Sequence, residues 1–278
     1  MAEVRYVVTL PKGIVVLPNV LSISAFTRTT LTALCLSAAA QWVSANDAAP
    51  TGVAARFLTA PVIDGEVISD SAWGRPFATQ FWQQRPQEGA PATQETEVFV
   101  GFTDDALYVA VIAYDTDPEG IIVSGQRRDD PLEDTDMFAF VIDSFRDGQN
   151  GFLFGTNPSG IETDGQITRD GGAGGPGISS FNMNWDTNWQ VKTQTGDFGW
   201  SAEFEIPFKS LRYPADGVQS WGMNFRRSIR RNNETVFWAP IQRQHSLMRV
   251  TDAGVVSGFE PPRQRNLKVT PYALGKQN

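Results

Sequence analysis

The segment 96–118, TEVFVGFTDDALYVAVIAYDTDP, constrains the fold more than any other part of the chain. Two apolar runs, 98–102 and 107–114, flank Thr103-Asp104-Asp105. Asp side chains hydrogen-bond backbone two residues on and tolerate turn geometry, so the segment predicts a β-hairpin. In the second arm Leu107, Val109, Val111 and Ala113 alternate with Tyr108, Ala110, Ile112 and Tyr114. Both faces are largely apolar, as in a central strand covered on both sides. DMFAFVID at 136–143 has the same two-sided character and is expected beside this hairpin.

Most of the remaining chain also has strand character. Residues 56–63 and 77–83 form strand candidates, with a polar-capped turn at Ser69-Asp70-Ser71-Ala72-Trp73 between them. Residues 151–156 and 160–169 read as a hairpin, as do 185–195 and 199–208 across Gly196-Asp197. In 199–208, Trp200, Ala202, Phe204, Ile206 and Phe208 face one way and Ser201, Glu203 and Glu205 the other, the pattern of a half-buried strand. Phe204→Ala is therefore expected to cost about 3–5 kcal/mol as a core cavity, and Glu203→Ala less than about 1 kcal/mol as an exposed charge. Residues 220–230 repeat the alternation, with Trp221, Met223, Phe225 and Ile229 against Asn224, Arg226, Ser228 and Arg230. Arg226 and Arg230 are expected to pair cross-strand with Glu203 and Glu205. No sustained helical periodicity follows Ala45, and the 25 Gly and 17 Pro are spread as turns. The pattern predicts an all-β fold, a two-sheet antiparallel β-sandwich of jelly-roll type, as a single domain over 46–262.

The N-terminus reads as an export signal. Arg28 precedes the apolar run 31–40, and Val43-Ser44-Ala45 offers small residues for cleavage. The run is too short for a stable bilayer anchor. Residues 1–24 are unusual ahead of such a signal and suggest initiation near 20–23. Cys35, the sole cysteine, falls inside the signal, so the mature chain would have neither disulfides nor thiolate metal sites. An exported chain is then expected, in the periplasm or outer membrane where the host is a Gram-negative bacterium.

Composition and motifs exclude several chemistries. A net charge of −8 argues against general nucleic-acid binding. His245 is the only histidine, so no multi-histidine zinc site forms, and no Gly-x-Ser-x-Gly elbow is present. The glycine run 170–177 lacks the Lys-Ser/Thr of a phosphate loop. Glu203/Glu205 and Asp104/Asp105 are carboxylate pairs of the kind glycosidases use, but alternate residues on one strand are more simply a solvated face.

The segments PVIDGEVISDSAW (61–73), 96–118, DTDMFAFVIDSF (134–145), GWSAEFEIPFKSLRY (199–213) and SWGMNF (220–225) occur in one characteristic order. In combination they resemble a family 9 carbohydrate-binding module, especially the type found at the N-terminus of bacterial outer-membrane-associated proteins. The resemblance covers roughly 56–260. It implies an extracytoplasmic sandwich that binds sugars without catalysis in polysaccharide breakdown, often with structural calcium. NLKVTPYAL at 266–274 resembles the start of the β-barrel that follows such modules, so 263–278 reads as a linker or barrel start in a truncated gene product. An outer-membrane β-barrel is then a possible partner.

In sugar-binding members of the family two Trp clamp the terminal sugar, at positions matched here by Leu132-Glu133-Asp134 and Leu247-Met248. Neither position carries Trp. Sugars stack on exposed aromatics while polar side chains fix their hydroxyls, so Trp82, Trp185, Trp189 and Trp238 are candidate substitute platforms, with ordinary packing as the plain alternative for each. Of these, Trp185 and Trp189 are preferred because Asn182, Asn184 and Asp186 lie beside them. Arg127 and Arg128 are candidate hydroxyl donors, with a surface ion pair to Asp129 or Asp130 as the plain alternative. Asp129, Asp130, Glu133, Asp134 and Asp136 form a candidate calcium loop, with a solvated acidic turn as the plain alternative. Two rival functions stand beside sugar binding: a structural role next to a barrel, and a b-type haem domain using His245 or Met248 with Met137, Met183 or Met223.

Overall fold

The computed structural model describes residues 8–10, 13–15, 49–172, 179–215 and 217–263. The expected export signal with Cys35, most of the glycine run and the barrel-like 266–274 segment lie outside them. Residues 1–47 and 48–278 form two separate units. In the first, β1 (Val8–Leu10) and β2 (Gly13–Val15) pair as an antiparallel hairpin.

The second unit is a β-sandwich. One sheet holds β12 (Gln190–Gly196), β13 (Gly199–Pro207), β7 (Ala106–Tyr114), β6 (Thr96–Phe102) and β4 (Ala55–Arg56), in that order. The expected hairpin is thus β6–β7, with Phe102 opposite Leu107. The other sheet runs β11 (Phe181–Asn182), β10 (Thr163–Ile167), β9 (Gly151–Thr156), β8 (Met137–Asp143), β14 (Gln219–Ile229), β15 (Glu234–Phe237) and β5 (Trp82–Arg85). β16 (Gly254–Phe259) also pairs with β14, and β3 (Thr51–Val53) pairs with β16. Pairing is antiparallel except at β3–β16 and β4–β6.

The main core lies between the sheets. Val98, Leu107, Val109, Val111, Trp200 and Phe204 of the five-stranded sheet meet Phe138, Phe140, Phe154, Trp221, Met223 and Phe225 of the larger one. Trp200 and Trp221 are fully buried, as their parity predicts. The 136–143 segment, however, is not beside the hairpin. It forms β8 at the centre of the opposite sheet, paired with β14 and β9. Two-sided apolar patterning marks a strand covered on both faces without specifying its sheet.

Both sheets carry a cover on their outer faces, and this overturns two expectations. Over the five-stranded sheet, Phe57, Ile63, Val67 and Trp73 pack on Phe99, Tyr108, Ala110 and Ile112. Glu203 points to that outer face as its parity requires, yet it is wholly buried rather than solvated. Its Oε1 accepts the Trp73 indole N–H at 2.7 Å, and its Oε2 accepts the amides of Asp64 (2.9 Å) and Gly65 (2.7 Å). Gly65, at φ 93°, passes so close to Thr193 that a Cβ would lie 2.6 Å from its backbone. The cross-strand pairing of Arg226 and Arg230 with Glu203 and Glu205 also fails, because β14 belongs to the other sheet. Glu205 instead faces Tyr108 Oη and the Gln190 amide.

Over the larger sheet, Leu132, Ile161, Ile241, Leu247 and Val250 cover Met137, Ala139, Val141 and Leu153. This second cover is incomplete, and the gap in it is the candidate site.

Candidate functional site

A cavity of about 330 Å³ opens on the outer face of the nine-stranded sheet. Its floor comes from outward residues of β8 and β9, namely Met137, Ala139 and Leu153, and its walls from the 129–133 loop and the 246–248 turn. These two irregular segments are 113 residues or more apart in sequence and meet only because β8 and β14 are neighbours. Phe181 and Met183 close a further side.

Polar groups line the cavity unevenly. Among the described residues, seven buried side-chain polar atoms have no hydrogen-bond partner, and three of these belong to residues lining it: Asp129 Oδ1, Thr163 Oγ1 and Arg226 Nε. Arg226 projects outward from β14, and its Nη2 donates to Ser228 Oγ at 3.2 Å. Burial lowers the pKa of its guanidinium, while the charge of Glu133 acts the other way. Asp129 sits in the left-handed region at φ 61°, unusual for a residue with a side chain, with its amide donating to the Glu162 carbonyl at 3.0 Å. Buried polar groups left unpaired are costly, so their concentration around one apolar hollow makes it the candidate ligand site. A cleft of similar size, about 360 Å³, lies between Phe145, Phe152, Gln166 and Arg212. Its lining residues contribute none of those seven atoms.

No protein-family model matches the chain, and no curated protein matches it. Solved structures do. A family 9 carbohydrate-binding module from Caldicellulosiruptor kristjanssonii, solved with glucose, is similar over 80% of this chain and 100% of its own, at 15% identity and a TM-score of 0.52. A module of the same family and organism with cellotriose matches 81% of this chain and 100% of its own, at 16% identity and TM-score 0.50. A candidate carbohydrate-binding protein from Bacteroides uniformis matches 76% of this chain and 99% of its own, at 10% identity and TM-score 0.59. The fold is that of a family 9 carbohydrate-binding module.

Within this module fold, Leu132-Glu133 and Leu247-Met248, from the stretches that the resemblance matches to the family's clamp positions, line the same cavity. The substitute platforms expected from the aromatic residues are elsewhere. Trp189 is 5% exposed and stacked on Phe204 in the main core, at 5.8 Å between ring centroids. Trp238 is also buried, against Phe77 and Phe225. Neither offers a face to solvent, because each belongs to the inter-sheet packing that its neighbouring strand directs inward. Trp185 is half-buried on Phe152 and Phe154, and Trp82 half-buried on edge strand β5.

Arg128 is not free for hydroxyls. It pairs with Glu162, Asp164 and Asp186, with Asp129 3.9 Å away. Burial raises the pKa of Asp164, opposed in part by the Arg128 charge. Arg127 is exposed, and its amide donates to Asp130 Oδ2.

The acidic loop does not form a calcium cage. Asp130 Oδ2 accepts the Gln126 and Arg127 amides, each at 2.9 Å, which lowers its pKa. Asp134 pairs with the Arg230 guanidinium at 3.2 Å, and buried Asp136 accepts the Arg230 amide at 2.9 Å. Asp129, Asp130 and Glu133 line the cavity instead. Among the described residues no three His, Cys, Asp or Glu side chains gather so as to hold a metal ion. The residues named for haem are divided among three places. Met223 is buried in the main core, His245 Nδ1 lies 2.6 Å from Asp252 Oδ2, and Met137, Met183 and Met248 line the cavity.

Thr163 and Phe181 are the site residues that sequence reasoning missed. Arg226 was legible as an outward residue on a buried strand, and that was the signal available. A charged side chain at such a position either pairs with a neighbour or faces a ligand.

Proposed function

We propose that the protein is a non-catalytic carbohydrate-binding module of an exported bacterial protein active in polysaccharide breakdown, and that the outer-face cavity is its sugar site. The observation that carries this reading is the convergence of Leu132-Glu133 and Leu247-Met248 on a cavity whose lining residues include three with buried, unpartnered polar atoms. The likeness to modules solved with glucose and cellotriose supports the same ligand class. The carboxylates favour a non-catalytic role: Glu203 is tied to three donors and Asp104 pairs with Arg56 at 2.6 Å, so neither pair presents two free carboxyls across a cleft.

The test is calorimetric titration of the full chain with a panel of neutral oligosaccharides. Without a flat Trp platform the affinity is expected on the order of 0.1–1 mM. Met183 lines the cavity and is 46% exposed, so Met183→Arg blocks the mouth without disturbing the core. It should weaken binding at least about tenfold with an unchanged melting temperature. Trp185→Ala, outside the cavity, should leave affinity within about twofold. Binding that Met183→Arg does not alter would move the site elsewhere. No binding to any sugar would overturn the reading in favour of a structural role beside a barrel.

A further inference from the structure

Resting on that reading, we propose that the cavity selects an N-acetylated sugar, gripping its acetamido group. Aromatic platforms suit the flat C–H face of a pyranose. Here the enclosing groups are the methyls and thioethers of Leu132, Met137, Leu247 and Met248, with Phe181 at one side. Such a lining encloses a compact apolar knob of about methyl size better than it stacks on a ring.

The unpaired atoms define the rest of the ligand. Arg226 Nε is a donor only, Asp129 Oδ1 an acceptor only, and Thr163 Oγ1 serves as either. An acetamido group carries one carbonyl acceptor, one N–H donor and one methyl. Its carbonyl satisfies Arg226, its N–H satisfies Asp129 or Thr163, and its methyl fills the apolar part.

Charge narrows the choice. Asp129, Asp130 and Glu133 line the cavity with Arg226 as its one cationic lining residue, so a uronate or sulfated sugar is disfavoured. A free hexosamine would meet those carboxylates but bury an ammonium among thioethers. A plain hexose supplies hydroxyls but no methyl. The neutral acetamido group alone meets all three conditions.

The site is also held ready. The Arg226 guanidinium is tethered to Ser228, and the left-handed backbone of Asp129 is pinned to Glu162. Because Arg226 has a buried, unpaired Nε, replacing it by Met should not lower the melting temperature. That separates loss of recognition from loss of fold.

The experiment titrates the full chain with chitobiose, its fully de-N-acetylated form and cellobiose, under one buffer. Chitobiose is expected to bind at least about tenfold tighter than either of the others, because a site with buried hydrogen-bonding groups rejects analogues that cannot pair with them. Arg226→Met and Thr163→Val should each reduce the chitobiose-to-cellobiose ratio at least about threefold, with folding verified by melting temperature. Equal affinity for chitobiose and cellobiose, or a ratio untouched by both substitutions, overturns the acetamido inference while the saccharide reading stands. Binding to none of the three sugars or any other saccharide overturns both.

Discussion

Glu203→Ala is expected to destabilise the protein by about 3–5 kcal/mol, as much as Phe204→Ala, although the two side chains point to opposite faces of β13. Phe204 is wholly buried between the sheets, against Phe138, Phe140 and Trp189, and its removal leaves a cavity worth about 3–5 kcal/mol. Glu203 removes no comparable apolar volume. Its loss instead strands three donors, the Trp73 indole and the Asp64 and Gly65 amides, each costing about 1–3 kcal/mol when buried without a partner. Urea unfolding of both variants checks the comparison, and a Glu203→Ala cost under about 1 kcal/mol would mean that water replaces the carboxylate.

Glu203 also predicts a pH signature. Burial raises its pKa above the ordinary 4.5, against the lowering by its three hydrogen bonds. A raised carboxylate binds its proton more tightly in the folded state, so its favourable contribution is complete below the ordinary value and is lost as pH rises through the folded one. The wild type should therefore lose more stability than Glu203→Gln on going from pH 4.5 upwards. Parallel melting curves for the two proteins across that window would exclude the assignment.

The same residue shows what the sequence conveys and what it does not. The alternation in β13 and β14 correctly separates inward from outward residues, because parity is a local property of an extended backbone. Whether an outward face meets water depends on residues far along the chain. Glu203 is covered by 57–73, and Ala139 by 132 and 241–250, all irregular segments with no periodicity that reveals where they dock. The sheet assignment of β8 was illegible for a related reason, since its pattern and that of β7 are equivalent and only long-range pairing separates them. For the candidate site, Leu132-Glu133 and Leu247-Met248, far apart in sequence, line one cavity, whereas two of the four candidate tryptophans are buried in the main core. Trp189 and Trp238 carry the residue type of a sugar platform and do the work of core packing. Thr163, Arg226 and Met248 have no such signature individually, and acquire meaning only when the sheet brings them together.

Next to Arg226 on β14, Arg227 points the opposite way, into the core, and its removal should have the other large effect. Its guanidinium is fully buried. Nη1 donates to the Glu95 carbonyl at 2.7 Å and Thr96 Oγ1 at 3.0 Å, and Nη2 to the Tyr114 carbonyl at 2.7 Å. One side chain of the nine-stranded sheet thus fastens the start of β6 and the end of β7 in the other. Burial lowers its pKa to about 10, with Asp115 the nearest opposing charge, so it stays a cation across the neutral range. Burial tends to raise Asp115, but the Arg231 hydrogen bonds, the Asp117 amide and the charges of Arg231 and Arg227 together hold it below its usual value. Arg227→Ala leaves two carbonyls and a hydroxyl unpaired and is expected to cost about 3–5 kcal/mol. Arg227→Lys should recover only part of this, because one ammonium cannot reach both strands as a planar fork does. Since neither Arg227 nor Asp115 changes charge between pH 5 and 8 on these directions, the Arg227→Ala cost should stay level in denaturation curves at pH 5, 6.5 and 8. A cost that disappears by pH 8 would mean that the guanidinium is not the group holding the sheets together. Arg226→Met, one residue away, should do the reverse: weaken sugar binding and leave the unfolding midpoint in place. Alternation along one strand would then account for both results, with one arginine serving the core and its neighbour the ligand.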